Sequence, residues 1–444
     1  MNVEKYNQPV PRYTSYPTVP HWDTASFSVQ EFEKTLESTF WESDREISVY
    51  IHLPFCESLC TYCACNTRIT KNHQVETPYI DHLLQEWELY MKRLPDTPVI
   101  REVHLGGGTP TFFEAGNLER LLNGLFAKAR VSDLAQMSFE GHPANTSTTH
   151  LKTLRRLGFR RLSLGIQDFD PQVQQLIHRR QSFEQVRATT EMARTLGYTS
   201  VNFDMVYGLP GQTYESLEAT LEKVRLLSPD RIAYYSYAHV PTMRPAQRSF
   251  EKHLPKPADK LNYLEVGRRA FRNYGYLEVG MDHFVKPGDD LLKAQQNGTL
   301  HRNFMGYTPF SGKLLIGLGA SSIGDSWIGF AQNEKKVEDY YRRLDRGELP
   351  FVKGHIHTAD DFFLREQILN LMCTFKTTWS DQMQALKLFD FESLREMEHD
   401  GLLTVQDQSI VVSQVGRSYI RVICSALDAR ANQSKKRVTH SRTV

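Results

Sequence analysis

The chain has 444 residues, of which 40% are hydrophobic, and its formal net charge is +1. This length exceeds what one compact core usually holds, so we expect one large domain and a smaller one. A net charge near zero disfavours nucleic acid or an anionic membrane as the main partner. The sequence shows no basic-then-apolar leader and no apolar run of membrane length, so we expect a cytoplasmic protein, and a monomer.

The first part of the chain divides into an arm and an α/β unit. Residues 1–40 are rich in Pro and Tyr and show no clear period, so we expect an extended N-terminal arm. Over 41–350, short β-rich runs alternate with segments of helical apolar spacing. This alternation predicts βαβ units, a parallel sheet and a full or partial α/β barrel, with function at the C-terminal ends of the strands. The predicted strands are 48–54, 102–108, 136–141, 161–167, 200–208 and 231–239.

The apolar period changes after about residue 350, so we expect a separate C-terminal domain over 351–444. Its first segment, DDFFLREQILNLMCTF, has the pattern of a buried helix. The following segment is typical of a helix, a short β-hairpin and a second helix, which indicates a small helical or winged-helix-like domain. The basic stretch Lys435–Arg442 is more typical of a solvated, frayed terminus than of a contact arm.

Four of the six cysteines, Cys56, Cys60, Cys63 and Cys65, lie within ten residues. In a reducing cytosol such a group holds metal more often than disulfides. The first three form a C-x3-C-x2-C loop, whose thiolates can bind three irons of a [4Fe–4S] cluster and leave the fourth iron open for S-adenosylmethionine (SAM). The alternative, structural zinc, usually takes two separated cysteine pairs. We predict that Cys65 is a neighbour of the cluster, because a fourth thiolate would close the open iron.

Residues at the ends of the predicted strands have the chemistry that SAM requires. The glycines 106–108 leave backbone amides accessible to a carboxylate or an amine. Glu140, Gln167 and Asp204 each end a predicted strand, where they are placed to accept hydrogen bonds from an ammonium group or from ribose hydroxyls. Capping or turn roles are the alternative for each residue taken singly.

Several distinctive motifs are distributed along nearly the whole chain. They are PRYTSYPT (11–18), YIHLPFCESLCTYCACN (50–66), GGGTPT (106–111), RLSLGIQDFDPQVQ (161–174), VYGLPGQT (206–213), SYAHVP (236–241), GMDHF (280–284) and LHRNFMGYT (300–308). Together they resemble the oxygen-independent coproporphyrinogen III oxidase (dehydrogenase) family of radical SAM enzymes. The fourth cysteine and the PRYTSYPT arm separate that family from a haem-chaperone branch on the same scaffold.

The resemblance implies oxidative decarboxylation of two propionates of coproporphyrinogen III to the vinyl groups of protoporphyrinogen IX. It implies a [4Fe–4S] cluster, two SAM molecules and a reduced flavodoxin- or ferredoxin-type electron donor. Matched by position, the cluster-bound SAM contacts Tyr50, Gly107, Glu140 and Ile323. The second SAM contacts Tyr62, Gly108, Thr109, Gln167, Arg179, Asp204 and Ala238.

One segment departs from the family pattern, which continues E-x-D-P-R after the glutamate of the third strand. Here His142 and Ala144 replace the Asp and the Arg. Because the substrate has four carboxylates, we expect cationic side chains near it, and the candidates are Arg12, His301 and Arg302. Ion pairs within the fold are the alternative for each. Two other functions stay open: a haem-binding chaperone, and a radical SAM methylase or another tetrapyrrole-modifying enzyme.

Overall fold

The computed structural model describes residues 3–434, 438 and 440–443. Its largest element is a sheet of twelve strands. Six of these strands follow one another along the chain and run parallel, each paired with the next. Each overlaps one of the predicted strands, so the α/β fold class is confirmed. The six are β1 (Glu46–Leu53), β2 (Val99–Gly107), β3 (Arg130–Gly141), β4 (Arg161–Gln167), β5 (Ser200–Tyr207) and β6 (Arg231–Ser236).

The sheet continues beyond both ends of this parallel block. Leu315–Leu318 pairs with β1 in parallel, and Ile323–Asp325, Gly329–Asn333 and Phe351–Ile356 follow it in antiparallel order. At the other edge, His283–Val285 and Leu277–Val279 pair antiparallel to β6. The two edge strands do not pair with each other, so the sheet is open and corresponds to a partial barrel.

Strand β1 shows how the sheet separates a core face from a functional face. Ile47, Val49 and Ile51 are fully buried in the core that the outer helices form. Ser48 and Tyr50, at the alternate positions, face the opposite, concave side, as a period of two requires. The ten helices that accompany the sheet are Val29–Glu42, Glu76–Met91, Ala115–Phe126, Thr148–Arg156, Pro171–Leu176, Phe183–Thr195, Tyr214–Leu227, Pro257–Asn273, Asp290–Gln296 and Val337–Asp345.

Helix Val29–Glu42 corrects the expectation of an extended arm over the first forty residues. Phe32, Leu36 and Phe40 recur at helical spacing and are buried against the sheet. The side chain of Ser28 caps the helix by accepting a hydrogen bond from the backbone of Glu31. The spacing of these apolar residues therefore indicated a helix, but the helix begins only near the end of the arm. Before this helix, the described residues of the arm form 3-10 turns at Val3–Tyr6 and Val19–His21.

The C-terminal part of the chain packs around a second core. The elements predicted there are present: a buried helix, then a helix, a hairpin and a helix. Three tyrosines and one valine of the N-terminal arm are buried in this core, among them Tyr13, whose hydroxyl donates a hydrogen bond to Asp428 (3.1 Å). The elements are helices Ala359–Thr374, Gln382–Leu388, Phe391–His399, Ile420–Ser425 and Ala429–Gln433, and strands Lys376–Thr378, Leu403–Gln406 and Ser409–Val412.

The two ends of the chain are held together by Arg421. Its buried guanidinium donates hydrogen bonds to the carbonyls of Pro11 (3.0 Å) and Ser441 (2.9 Å). Most of the basic stretch, residues 435–437 and 439, lies outside the described residues. Residues 440–443 lie along the arm, where Arg442 forms an antiparallel bridge with Pro9. The expectation of a solvated terminus is thus wrong for this last segment.

No helix in the described part of the chain is both long and apolar enough to cross a membrane.

Glu86 is a fully buried carboxyl that ties helix Glu76–Met91 to the sheet. Its Oε2 accepts hydrogen bonds from the Tyr340 hydroxyl (2.7 Å) and the Gly319 amide (2.8 Å), and Oε1 accepts one from Asn333 (2.6 Å). Burial outweighs these donors and raises the pKa of Glu86 to about 8. Folding therefore keeps a proton on a carboxyl that would be ionised in the unfolded chain at neutral pH.

We expect this group to make the protein less stable as the pH rises from about 5 to about 9. Because the folded pKa is raised above the ordinary value of 4.5, the contribution is complete below that value and is lost as the pH passes about 8. The change is on the order of 5 kcal/mol. Thermal unfolding of the wild type and of Glu86→Gln, which cannot titrate, measures it. Equal pH dependence of the two melting temperatures would contradict the assignment.

Candidate active site

The C-terminal ends of the parallel strands border a cleft of about 1070 Å³. This volume is at the upper end of what small-molecule sites usually have, so the cleft has room for a large ligand or for two ligands. It brings together residues from the N-terminal arm, the cysteine loop and the ends of β2 to β6. Of the predicted site residues, those that line it are Arg12, Cys56, Cys60, Tyr62, Cys63, Gly107, Gly108, Thr109, Glu140, Gln167, Arg179, Asp204 and Ala238.

The cysteine loop follows β1 and is held from several sides. The short strand Phe55–Cys56 pairs in parallel with Arg68–Ile69, which closes the base of the loop. Within the loop, the amide of Cys63 donates to the carbonyl of Cys60 (3.0 Å). The buried side chain of Gln247 donates to the carbonyl of Tyr62 (3.3 Å). The loop is therefore shaped by protein contacts before any ligand binds.

The three predicted ligands differ from Cys65 in their surroundings. Cys56, Cys60 and Cys63 are half-buried free thiols, whereas Cys65 is exposed. The guanidinium of Arg179 approaches the sulfur of Cys60 (3.6 Å), which suits a site that binds an anionic iron–sulfur cluster.

Glu140, at the end of β3, faces the cleft next to the glycines after β2. Its Oε2 accepts a hydrogen bond from the amide of Gly107 (3.2 Å), and its Oε1 lies 3.5 Å from Nε2 of His104. Enclosure alone would raise the pKa of Glu140, but the His104 side chain and the Gly107 amide lower it. About 43% of the Glu140 side chain remains accessible. An ionised acceptor is thus presented to a cationic ligand.

Gly107 and Gly108 are needed for close backbone approach at this point. Gly107 has a φ of +109°, and a Cβ there would lie 2.5 Å from the ring of His52. A Cβ on Gly108 would lie 2.6 Å from the carbonyl of Pro54. Any side chain would therefore both strain the turn and collide with the strand that leads into the cysteine loop.

A second group of polar residues lies at the ends of β4 and β5. Asp204 accepts hydrogen bonds from Ser163 (2.9 Å) and Asn202 (2.9 Å), and burial, together with nearby Glu140, raises the pKa of Asp204 to about 6. Gln167 ends β4 with a φ of +66°, a conformation that side chains rarely adopt and that often marks functional sites. Both residues line the cleft.

Two predicted cofactor residues do not line the cleft. Tyr50 lies on the concave face of β1, where its ring stacks on His104 at 6.0 Å and so supports the position of Glu140. Ile323 begins the short strand Ile323–Asp325 and is half-buried, with its carbonyl against Gly317. Both lie behind the residues that face the cleft.

Of the three candidate substrate-binding residues, one lines the cleft and two do not. Arg12 lines the cleft and donates to the carbonyl of Ser236 at the end of β6 (2.7 Å). His301 and Arg302 are buried in the hairpin His301–Asn303 and Gly306–Thr308, outside the cleft lining. Burial and nearby Arg365 lower the pKa of His301 to about 3. The guanidinium of Arg302 lies over the ring of Tyr307 (4.5 Å).

The departing segment after β3 also borders the cleft. His142 and Ala144 both line it, and Nδ1 of His142 accepts a hydrogen bond from the amide of Ala144 (3.1 Å). Burial, together with Arg179, lowers the pKa of His142 to about 3, so the imidazole is neutral. The sequence patterns did not single out His104, which lies beside Glu140. The signal was a polar side chain that alternates with the apolar Val103 and Leu105 in β2.

The chain is similar to known proteins over its full length. Residues 50–224 match the radical SAM superfamily. The chain is 37% identical to the oxygen-independent coproporphyrinogen III oxidase of Escherichia coli and 36% identical to that of Pseudomonas aeruginosa, with 100% of this chain and at least 97% of each relative covered. The solved structure of the Escherichia coli enzyme, described as a radical SAM enzyme, superposes with a TM-score of 0.88, at 36% identity, over 95% of this chain and 99% of that one.

These similarities extend over the cysteine loop, the strands that border the cleft and the rest of the open sheet. They also establish the cofactors, since this superfamily uses a [4Fe–4S] cluster and SAM. The chain is a member of the oxygen-independent coproporphyrinogen III oxidase family of radical SAM enzymes.

Proposed function

We propose that this protein converts two propionate side chains of coproporphyrinogen III into the vinyl groups of protoporphyrinogen IX without oxygen, as a step of haem biosynthesis. The observation that supports this most strongly is one shared cleft. The three-cysteine loop, the Glu140 carboxylate and the Arg12 guanidinium all open into it. The full-length similarity to enzymes named for this substrate supports the same assignment.

We assign Cys56, Cys60 and Cys63 to the iron–sulfur cluster. When bound, the cluster and SAM supply a 5′-deoxyadenosyl radical that takes a hydrogen atom from the propionate β-carbon. The cleft has room for two SAM molecules. We assign Gly107 and Glu140, with Tyr50 and Ile323 outside the cleft lining, to the cluster-bound SAM. We assign to the second SAM the residues Tyr62, Gly108, Thr109, Gln167, Arg179, Asp204 and Ala238.

The chain's own residues bind and orient the cofactors. Glu140 accepts from the SAM ammonium group, with Tyr50 and His104 fixing its position from behind. The exposed amides at Gly107 and Gly108 approach carboxylate or ribose groups closely. Tyr62 offers a ring on which adenine stacks.

Arg12 is the substrate cation that faces the cleft, and it pairs with a propionate carboxylate. We assign His301 and Arg302 to the wall behind the cleft, because both are buried there. The arm that holds Arg12 is packed into the C-terminal core and covers one side of the cleft, which limits the access of water to the reacting groups. Each vinyl group formed releases one CO2 and one electron, so an electron acceptor is also required.

Further properties of the family are proposed with this function. All six cysteines are free thiols, which fits a reducing, cytoplasmic compartment. We propose a monomer that receives electrons from a reduced flavodoxin- or ferredoxin-type protein.

One anaerobic assay tests the proposal and separates it from the two alternatives. The reconstituted enzyme is mixed with SAM, reductant and coproporphyrinogen III, and product masses are read. We expect two successive losses, each of one CO2 and two hydrogens. A product that carries a SAM-derived methyl group would indicate a methylase. Unchanged substrate, with tight haem binding, would indicate a haem chaperone.

A further inference from the structure

Below the cleft, the concave face of the sheet encloses a second cavity of about 230 Å³. Inward-facing residues of β2 to β6 line it, and the hairpin residues Tyr307 and Thr308 close one side. Glu140, Asp204 and Tyr235 line both the cavity and the cleft, so the two spaces adjoin. The cavity is too small for a tetrapyrrole. The cavity has room for one side chain of a tetrapyrrole and a few water molecules, since a water takes about 30 Å³.

Arg161, at the start of β4, lines this cavity. Within the described residues its guanidinium makes no hydrogen bond and no ion pair, and its Nη1 atom is buried. Arg231, the other arginine of the cavity, is paired with Asp289 (2.7 Å). A guanidinium enclosed without a partner is costly, so such a group normally has an anion or ordered water against it.

The nearest acidic candidate does not supply that anion. Glu102 lines the cavity, but its Oε2 accepts a hydrogen bond from Ser48 (2.8 Å) and its Oε1 accepts one from Thr308. Burial raises the pKa of Glu102, while the charge of Arg161 is among the groups that lower it, but no hydrogen bond or ion pair joins the two side chains. Burial and nearby Arg231 lower the pKa of Arg161 to about 10, which leaves the guanidinium charged at neutral pH. The cavity thus contains a cation that has no hydrogen-bonding partner within the described residues.

We propose that Arg161 forms the base of a carboxylate subsite that receives one propionate group of coproporphyrinogen III. The ring system stays in the cleft, and the propionate enters where Glu140, Asp204 and Tyr235 border both spaces. The guanidinium matches a carboxylate with two parallel hydrogen bonds. This inference rests on the proposed function and adds a specificity residue to it.

Anaerobic equilibrium binding of coproporphyrinogen III to the reconstituted enzyme with SAM, but without reductant, tests the subsite. The bound tetrapyrrole is oxidised afterwards and measured by its fluorescence. We expect Arg161→Met to weaken binding about 10- to 100-fold, as the loss of a charged hydrogen bond does. Arg161→Lys keeps the charge without the planar fork, so we expect an affinity between those of the wild type and Arg161→Met. The melting temperature of Arg161→Met should equal or exceed that of the wild type, because an unpaired buried charge is removed.

Arg155→Met is the matched control, since Arg155 lies half-buried on helix Thr148–Arg156, does not line the cavity or the cleft, and its side chain donates to the carbonyl of Gly197 (3.1 Å). Its affinity should equal that of the wild type. Unchanged affinity in Arg161→Met would overturn the subsite, as would equal affinities of the Met and Lys variants below wild type. A wild type that binds no coproporphyrinogen III at all would instead refute the proposed function itself.

Discussion

Replacing Cys56, Cys60 or Cys63 by alanine is expected to abolish both iron retention and the reductive cleavage of SAM. Each thiolate binds a separate iron, and a cubane that loses one of only three protein ligands is not held. These thiols lie on a loop that is already shaped by its contacts and opens into the cleft. The measurements are iron content, visible absorption and 5′-deoxyadenosine formation after anaerobic reconstitution. We expect activity to fall to the background of the assay.

Cys65→Ala is the matched control, because it removes a thiol from the same loop. Cys65 is exposed, while the three predicted ligands are half-buried. We expect this variant to keep its iron and its absorption. Loss of iron in Cys65→Ala, or full iron content in any of the other three variants, would contradict the assignment of three ligands and one open iron.

Glu140→Gln is expected to impair SAM cleavage more than any other single change outside the cysteine loop. The carboxylate is ionised, accepts from the amide of Gly107 (3.2 Å) and faces the cleft. The amide keeps the shape but loses the charge and one acceptor atom, so SAM should bind about 10- to 100-fold more weakly. Iron content should stay at the wild-type level, since Glu140 is not a metal ligand.

The affinity for SAM is measured by equilibrium dialysis of the reconstituted, unreduced enzyme. Glu119→Gln serves as the control, because Glu119 lies on an outer helix and pairs with Arg156 (2.8 Å). We expect this control to bind SAM as the wild type does. Wild-type affinity in Glu140→Gln would remove Glu140 from the SAM site.

The parallel strands could be predicted because each is a long β-rich run between helical segments. The strands outside the parallel block could not be predicted, since strands such as Ile323–Asp325 and Leu277–Val279 have only three residues, too few to show an alternating pattern. Whether the barrel closes depends on these edges, so the sequence left a full and a partial barrel open. The helix Val29–Glu42 was missed even though Phe32, Leu36 and Phe40 have helical spacing, because it begins within an irregular arm.

The site was predictable where its chemistry is contiguous or ends a strand. The cysteine loop and Glu140, Gln167 and Asp204 were found in this way, and all of them line one cleft. Contacts through space were not predictable. Arg302 was expected at the substrate but lies over the ring of Tyr307 behind the cleft, in a hairpin whose packing depends on distant segments. Arg161 begins the motif RLSLGIQDFDPQVQ but was not predicted as a site residue, and only the structure shows that its guanidinium lines a cavity without a hydrogen-bonding partner in the described residues.

The most direct test of the whole account follows a hydrogen atom from substrate to cofactor. Coproporphyrinogen III deuterated at the β-carbons of its propionates is incubated anaerobically with enzyme, SAM and reductant, and the 5′-deoxyadenosine is analysed by mass spectrometry. The account predicts that the 5′-deoxyadenosine contains deuterium in step with vinyl formation. Vinyl product accompanied by unlabelled 5′-deoxyadenosine, or formed without 5′-deoxyadenosine, would contradict it.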